Sequence, residues 1–441
     1  MNLAAYATAN LPRYTSYPTA PHFSALPAER LEAWLKGIAP TDALSLYIHI
    51  PFCHALCWYC GCHTAVTRQE KRIERYALAL VAEAELIHAA LSAAHGPVTQ
   101  LHLGGGTPSA LGALRLSSLL RHLRRLFLFA PKAELSVELD PRTLTDDVVE
   151  TLADAGFTRA SLGLQDANPE VQEKMGRVQP VAIVEAAMHR LGLAGITRVN
   201  LDMMYGLPGQ SVAHVRETAR VAAELGASRV AAFGYAHVPW MKPAQRAIRG
   251  EELPGATERL VQAAAAQETL EAAGFNPIGL DHFARPDDSM TAAQRAGRLR
   301  RNFQGYTTDD APVLVGLGAS SIGATVEGYA QNIPDERGYV AAVEAGRLPV
   351  ARGLALTDED RLRRGAIERV MCDLALDLSA LPFCVRQSAL PGLRGLAADG
   401  VVRLNGARLI VPEEGRRFLR HVAACFDARL GQGSGRHSAA V

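Results

Sequence analysis

Hydrophobic and polar positions alternate with a period of two over residues 43–50. Leu44, Leu46, Ile48 and Ile50 fall on one face, and Ser45, Tyr47 and His49 on the other. This is the pattern of a strand with one apolar and one polar face. Five further runs of strand character follow, at 98–103, 134–140, 158–165, 198–205 and 228–236. Between them lie amphipathic helical stretches, among them 72–94, 116–129 and 182–193. Strands alternating with helices imply parallel strands joined by crossover helices. Six such units predict an α/β fold built on a partial (β/α)6 barrel. A doubly wound open sheet is the alternative, because periodicity does not decide closure.

The polar faces carry the first functional expectation. Leu135, Val137 and Leu139 oppose Ser136 and Glu138. Ala160, Leu162 and Leu164 oppose Ser161, Gly163 and Gln165. Val199, Leu201 and Met203 oppose Asn200 and Asp202. If the apolar faces pack on the helices, the polar faces line the interior, and the sites of such barrels lie at the C-terminal ends of the strands. Glu138, Gln165 and Asp202 are then expected near one mouth. The bland reading is a set of satisfied polar residues in a barrel interior. Several polar groups aimed at one cavity favour a site, because burying unpaired polar groups is costly.

The candidate chemistry follows the first strand. Four of the seven cysteines, Cys53, Cys57, Cys60 and Cys62, fall within ten residues, while Cys372, Cys384 and Cys425 are scattered. Three cysteines at x3 and x2 spacing can wrap one face of a small iron–sulfur cluster, which thiolates suit. Three protein ligands would leave one iron of a [4Fe–4S] cluster open. A structural zinc site wants four closed ligands, commonly as two separated pairs. There is no second CxxC pair here, although His54 or His63 could serve. A disulfide cluster fits poorly with a chain that shows no leader segment, for which a cytoplasmic location is expected. The second strand runs into Gly104-Gly105-Gly106-Thr107-Pro108. Such a turn lets a backbone approach a ligand closely, and without a following Lys-Ser/Thr it is not a P-loop.

The net charge of +1 gives no electrostatic case for nucleic acid, and no apolar run approaches the roughly 20 residues that cross a bilayer. Nothing calls for more than a monomer. Four regions are expected: an arm at 1–40, a barrel with its extensions at 41–350, a smaller, mostly helical C-terminal domain at 351–430, and a disordered tail at 431–441. Two prolines and two tyrosines at 12–19 argue against a regular helix in the arm. Composition favours a tail packed on the surface; the sharper alternative brings Arg13 to an acidic substrate. Residues 279–286 and 301–306 lack a period and read as loops. The glycine-rich 315–323 run is expected to close the barrel domain. In the C-terminal region, 358–372 reads as a helix, and strand-like runs flanking Asn405-Gly406 resemble the wing of a winged helix.

The CxxxCxxC spacing, with Tyr59 before the last cysteine, resembles the signature of the radical S-adenosylmethionine (SAM) enzymes, and the glycine run resembles their glycine motif. Further stretches narrow the likeness: PRYTSYPTA, YIHIPFCHALCWYCGCH, HLGGGTPS, VELDPR, LGLQD, DMMYGLP, YAH, GLDHFARPDD and RNFQGYTT. Together they are similar to the oxygen-independent coproporphyrinogen III oxidase family over nearly the whole chain. The resemblance implies a haem-biosynthetic oxidoreductase that converts two propionates of coproporphyrinogen III to vinyl groups, giving protoporphyrinogen IX. A deoxyadenosyl radical takes one hydrogen from each propionate, carbon dioxide leaves, and an acceptor takes the remaining electron. The reductant and that acceptor are not named by the sequence. It implies that Cys53, Cys57 and Cys60 ligate a [4Fe–4S] cluster and that Cys62 is a functional cysteine outside the ligand set. It implies two SAM molecules. Tyr47, Gly105, Glu138 and Ile322 match positions around the first; Tyr59, Gly106, Thr107, Gln165, Arg177, Asp202 and Ala236 match those around the second. Read from composition alone, Arg177 would be a solvated helix charge. The alternative function is that of a related haem chaperone, a binding protein without oxidase activity. Cys62 and the Arg13–Pro18 segment argue against it, since the chaperone form typically lacks both.

Overall fold

The computed structural model describes residues 3–91 and 95–432; most of the 431–441 segment expected to be disordered lies outside them. Six strands carry the parallel sheet: β1 (Leu44–Ile50), β2 (Val98–Gly105), β3 (Phe129–Leu139), β4 (Arg159–Gln165), β5 (Arg198–Tyr205) and β6 (Arg229–Gly234). Each is followed by a helix: α1 (Glu70–Ala90), α2 (Gly112–Leu126), α3 (Asp146–Asp154), α4 (Val181–Leu193), α5 (Val212–Glu224) and α6 (Ala256–Ala272). Neighbouring strands pair in sequence order, all parallel. Parallel strands require such crossovers, and each helix buries its apolar stripe on the sheet. In α2 the buried stripe is Leu116, Leu119, Leu120 and Leu123, the i, i+3, i+4, i+7 spacing of one helix face.

One core joins the apolar strand faces to the helices. Leu46, Leu101, Val137, Leu162 and Leu201 lie in it with Leu80, Leu119, Leu152, Leu191 and Ala219. The helices thus cover one side of the sheet, which is the arrangement of a partial barrel. The sheet is not closed by pairing. It extends to thirteen strands, with its edges at Ser24–Ala25 and Asn276–Ile278.

The glycine-rich run departs from expectation. Val313–Leu317 is a seventh parallel strand, β7, and it pairs with the outer side of β1 in place of closing against β6. After the turn at Gly318, the chain returns as Ile322–Ala324, antiparallel to β7. The two stretches read as loops also contain short strands. His282–Ala284 pairs antiparallel with β6, and Arg300–Asn302 forms a hairpin with Gly305–Thr307. Three-residue strands are too short to show a period.

A second core forms where the chain changes texture. It gathers Ile367 and Val370 from α7 (Asp358–Asp373), Val385 and Leu393 from α8 (Phe383–Ala398), and Leu409, Leu419 and Phe426. Thr357 and Asp360 cap α7 reciprocally, each side chain bonding the other's backbone N–H. The Asn405-Gly406 hairpin is present, and Arg408–Ile410 pairs on its other side with Ala375–Asp377. Tyr14 and Tyr17 of the arm are buried in this second core. Tyr14 Oη donates to Asp427 at 3.0 Å, and Tyr17 Oη accepts the Ala428 N–H at 3.1 Å. The arm is therefore built into the molecule here, contrary to the surface tail that composition favours.

Candidate active site

The cysteine loop leaves β1 at Pro51 and is fastened to the glycine turn after β2. The Gly106 N–H donates to Ile50 O at 2.8 Å, and the Thr107 N–H donates to Phe52 O at 2.7 Å. A Cβ on Gly106 would lie 2.6 Å from Phe52 O and 3.0 Å from Cys53 Sγ, so only glycine allows this approach. Thr107 Oγ1 reaches Cys53 Sγ at 3.7 Å. The far side of the loop is held equally closely. The Trp58 N–H donates to Met175 O at 3.1 Å, and the Trp58 ring covers Gly176, where a Cβ would come within 2.6 Å of it. Gln245 donates to Tyr59 O and Lys242 to Cys62 O, at 3.0 and 2.8 Å.

Cys57 is buried, Cys53 and Cys60 are half-buried, and Cys62 is exposed. Two guanidinium groups meet the Cys57 sulfur, Arg177 Nη1 at 3.6 Å and Arg142 Nη2 at 3.7 Å. Both are paired with Asp140. Arg142 forks onto its carboxylate at 2.6–3.2 Å, and Arg177 stands 3.5 Å from it. Burial alone would raise Asp140, but Arg142 and Arg177 hold it below the usual carboxylate range. Burial pushes the Cys53 thiol up to about 11, whereas a hydrogen bond with Cys62 draws Cys60 below the usual thiol range.

The polar strand faces form the floor. Glu138 Oε1 accepts from His102 Nε2 at 3.1 Å, and Oε2 accepts the Gly105 N–H at 3.1 Å. Burial works to raise this carboxyl, yet these bonds keep it ionised below its ordinary range. His102 Nδ1 meets Ser136 Oγ at 2.7 Å, and the Tyr47 ring stacks over His102 at 5.8 Å. Tyr47 Oη lies 3.0 Å from His49 Nδ1, and His49 Nε2 donates to His63 O at 2.9 Å. This chain of bonds ties β1 to the end of the cysteine loop. Asn200 donates to Asp202 at 2.8 Å. Burial, and then the charge of Glu138, pushes Asp202 up to about 7.

Gln165 ends β4 at φ +64°, a conformation uncommon for a residue with a side chain. A Cβ on Gly163 would lie 2.4 Å from its Nε2 and 3.1 Å from Arg177 Nη2. Arg177 is buried and donates to Gly163 O and Gln179 Oε1, so it is not the solvated helix charge that composition suggests. Ile322 lies beside Tyr47 through Gly316. Gly316 pairs with Tyr47 across the strands, and a Cβ on it would come within 2.9 Å of the Ile322 backbone. Ala236, just past β6, lines a neighbouring cavity with Arg13, Tyr205 and Arg259.

Sequence reasoning missed Asp140, Arg142, His49 and His102 as part of this arrangement. The DPR that ends β3 was the available signal for two of them. Among the described residues, no three His, Cys, Asp or Glu side chains converge as on a single metal ion. The donor set suits a larger, sulfur-ligated group. It has three thiols on one turn, a glycine turn with no room for a Cβ, and two cations behind one sulfur. No helix among the described residues is long and apolar enough to cross a membrane.

Comparison with known proteins agrees with this chemistry. Residues 47–222 match the radical SAM superfamily. The oxygen-independent coproporphyrinogen III oxidase of Bradyrhizobium diazoefficiens is 45% identical, over 99% of this chain and 98% of that one. The enzyme of the same name from Escherichia coli K12 is 41% identical over 96% and 93%. A solved structure of the Escherichia coli coproporphyrinogen III oxidase, described as a radical SAM enzyme, superposes with a TM-score of 0.90. Its identity is 39%, and the match covers 94% of this chain and 97% of that one.

Proposed function

This chain belongs to the oxygen-independent coproporphyrinogen III oxidase family, and we propose on that footing that it oxidatively decarboxylates two propionates of coproporphyrinogen III to vinyl groups, giving protoporphyrinogen IX. The observation that carries the reading is the cysteine loop zipped to the glycine turn, within a fold shared over 94% of this chain with a named oxidase. Cys53, Cys57 and Cys60 would hold a [4Fe–4S] cluster, which with SAM would supply the radical chemistry when bound. The chain's own groups then position the reactants. Ionised Glu138 accepts hydrogen bonds from an ammonium or ribose hydroxyls, and the open backbone of Gly104–Gly106 admits the ligand beside it. Arg142 and Arg177 place fixed positive charge behind the Cys57 sulfur.

In this proposal the site holds two SAM molecules. Tyr47, Gly105, Glu138 and Ile322 border the first. Tyr59, Gly106, Thr107, Gln165, Arg177, Asp202 and Ala236 border the second. Cys62, exposed and outside the ligand set, serves turnover. The protein works as a cytoplasmic monomer with a separate reductant and electron acceptor.

The test is an anaerobic assay of the reconstituted protein with coproporphyrinogen III, SAM and a strong reductant. Protoporphyrinogen and deoxyadenosine are expected together. Cluster assembly with no decarboxylation would refute the oxidase and favour the haem-binding alternative.

A further inference from the structure

The cavity beyond the end of β6 is lined by five guanidinium groups, Arg13, Arg259, Arg301, Arg417 and Arg420, and by one carboxylate, Asp281. These arginines come from the arm, from α6, from the Arg300–Asn302 strand and from the C-terminal region, so the cluster exists only in the folded chain. Asp281 accepts from His282 Nδ1 at 2.7 Å; burial works to raise its carboxyl, but His282 and then the charges of Arg301 and Arg13 hold it down to about 2, so one carboxylate is shared among five cations. Among the described residues, the guanidinium hydrogen bonds of Arg13, Arg259 and Arg301 go to backbone carbonyls. These are Gly234 O at 3.4 Å, Tyr235 O at 2.8 Å and Arg13 O at 3.2 Å respectively. Nε of Arg259, and Nε and Nη1 of Arg301, are buried without a hydrogen-bond partner, and the Arg301 guanidinium lies over the Tyr306 ring at 4.3 Å. Arg420 is held by the carbonyls of Leu11 and Pro12, and it fixes the arm beside the cavity.

Five guanidinium groups against one carboxylate leave net positive charge in a partly desolvated cleft, which is costly. Burial and then the charge of Arg13 bring Arg420 down to about 10. Guanidinium forks match a carboxylate with two parallel bonds. The cavity is small, about 70 Å³, which suits a carboxylate arm better than a ring system. Ala236 lies on its wall, so it opens beside the strand ends that form the active-site floor.

We infer that this cavity is a carboxylate anchor in which Arg13, Arg259 and Arg301 grip the carboxylate of a reactant, either a substrate propionate that is not being transformed or the amino-acid end of SAM. The identity of those reactants rests on the function proposed above; the anchoring chemistry does not.

The experiment measures binding by the full-length, anaerobically reconstituted protein. The probes are coproporphyrin III, its tetramethyl ester and SAM, and the variants are R259Q, R301Q and R301K. Fluorescence titration reads the porphyrins and equilibrium dialysis reads SAM. Coproporphyrin III binding is expected to weaken about tenfold or more in both glutamine variants, since each loses a charge-assisted bond. R301K should fall between R301Q and the parent, and ester binding should be unchanged throughout. A tenfold loss confined to SAM would support the anchor with the cofactor as occupant. Unchanged binding of both carboxylates would overturn it. So would weaker binding in both glutamine variants that comes with a lowered Tm and is not partly restored in R301K, because that pattern marks a packing role. Wild-type protein that binds coproporphyrin III and fails to decarboxylate the porphyrinogen would refute the oxidase and leave the anchor standing. Active variants with normal binding would do the reverse.

Discussion

Two groups of arginines face the open end of the strands, and they are built on opposite principles. Arg142 and Arg177, behind the cysteine loop, share the Asp140 carboxylate. The guanidinium hydrogen bonds of Arg13, Arg259 and Arg301, beyond β6, go to backbone carbonyls. In the first group the protein supplies its own counterion, so the positive charge is a fixed part of the loop's geometry. In the second a single carboxylate, Asp281, stands among five guanidinium groups, so positive charge is left over and a ligand can answer it. Uncompensated charge separates a place that is finished by folding from one that is finished by binding.

The largest effect should come from breaking the finished side at its sulfur. Cys57→Ser is expected to abolish iron uptake on anaerobic reconstitution, because it removes one of the three proposed ligand thiolates. Iron content and visible absorption equal to wild type would remove Cys57 from the ligand set. Asp140→Asn should make the first group resemble the second. Arg142 and Arg177 would face each other without a carboxylate, at a cost of about 3 kcal/mol, the scale of a broken buried pair. The urea midpoint of the apo protein, at unchanged m-value, measures this.

Glu83 extends the comparison to a buried anion without a cation. It accepts from Gly318 N–H, Tyr339 Oη and Asn332, yet burial pushes it up to about 7 from an ordinary 4.5. The folded state then holds its proton more tightly than the unfolded chain. Stability from this group is fully present below about 4.5 and is lost as pH rises through about 7. Glu83→Gln should flatten the fall in Tm between pH 5 and pH 8, although it sets an amide donor against Asn332; an unaltered slope would assign it elsewhere. The smallest effect belongs to the arm that carries Arg13. Tyr14→Phe removes the 3.0 Å bond to Asp427 and should cost about 1 kcal/mol in the same urea titration.

Much of this was legible from local pattern. The alternation at 43–50 became β1 within one residue of its expected start, and the 198–205 run became β5 with its limits unchanged. The cysteine spacing and glycine run marked the loop and turn that bond to each other. What local pattern could not show was pairing across the chain. β7 carries a strand's apolar residues, but its place beside β1 depends on chain more than 250 residues away. Arg177 sits in a polar, turn-rich stretch whose composition looks solvated. It is buried because Gly163, Asp140 and Cys57 close around it.

The amino-acid sequence by itself determined the kinds of group available: three thiols on one turn, a glycine run able to approach them, and alternating strands with a polar face. Those follow from side-chain chemistry and from periods of two and 3.6 residues, which are local properties. The tertiary structure alone decided which charges are answered and which are not. Arg13, Arg259 and Arg301 read as ordinary scattered cations until folding carries them to one cavity. Coulombic pairing and desolvation depend on distances of a few ångströms between residues far apart in the chain, and only the folded chain sets those distances.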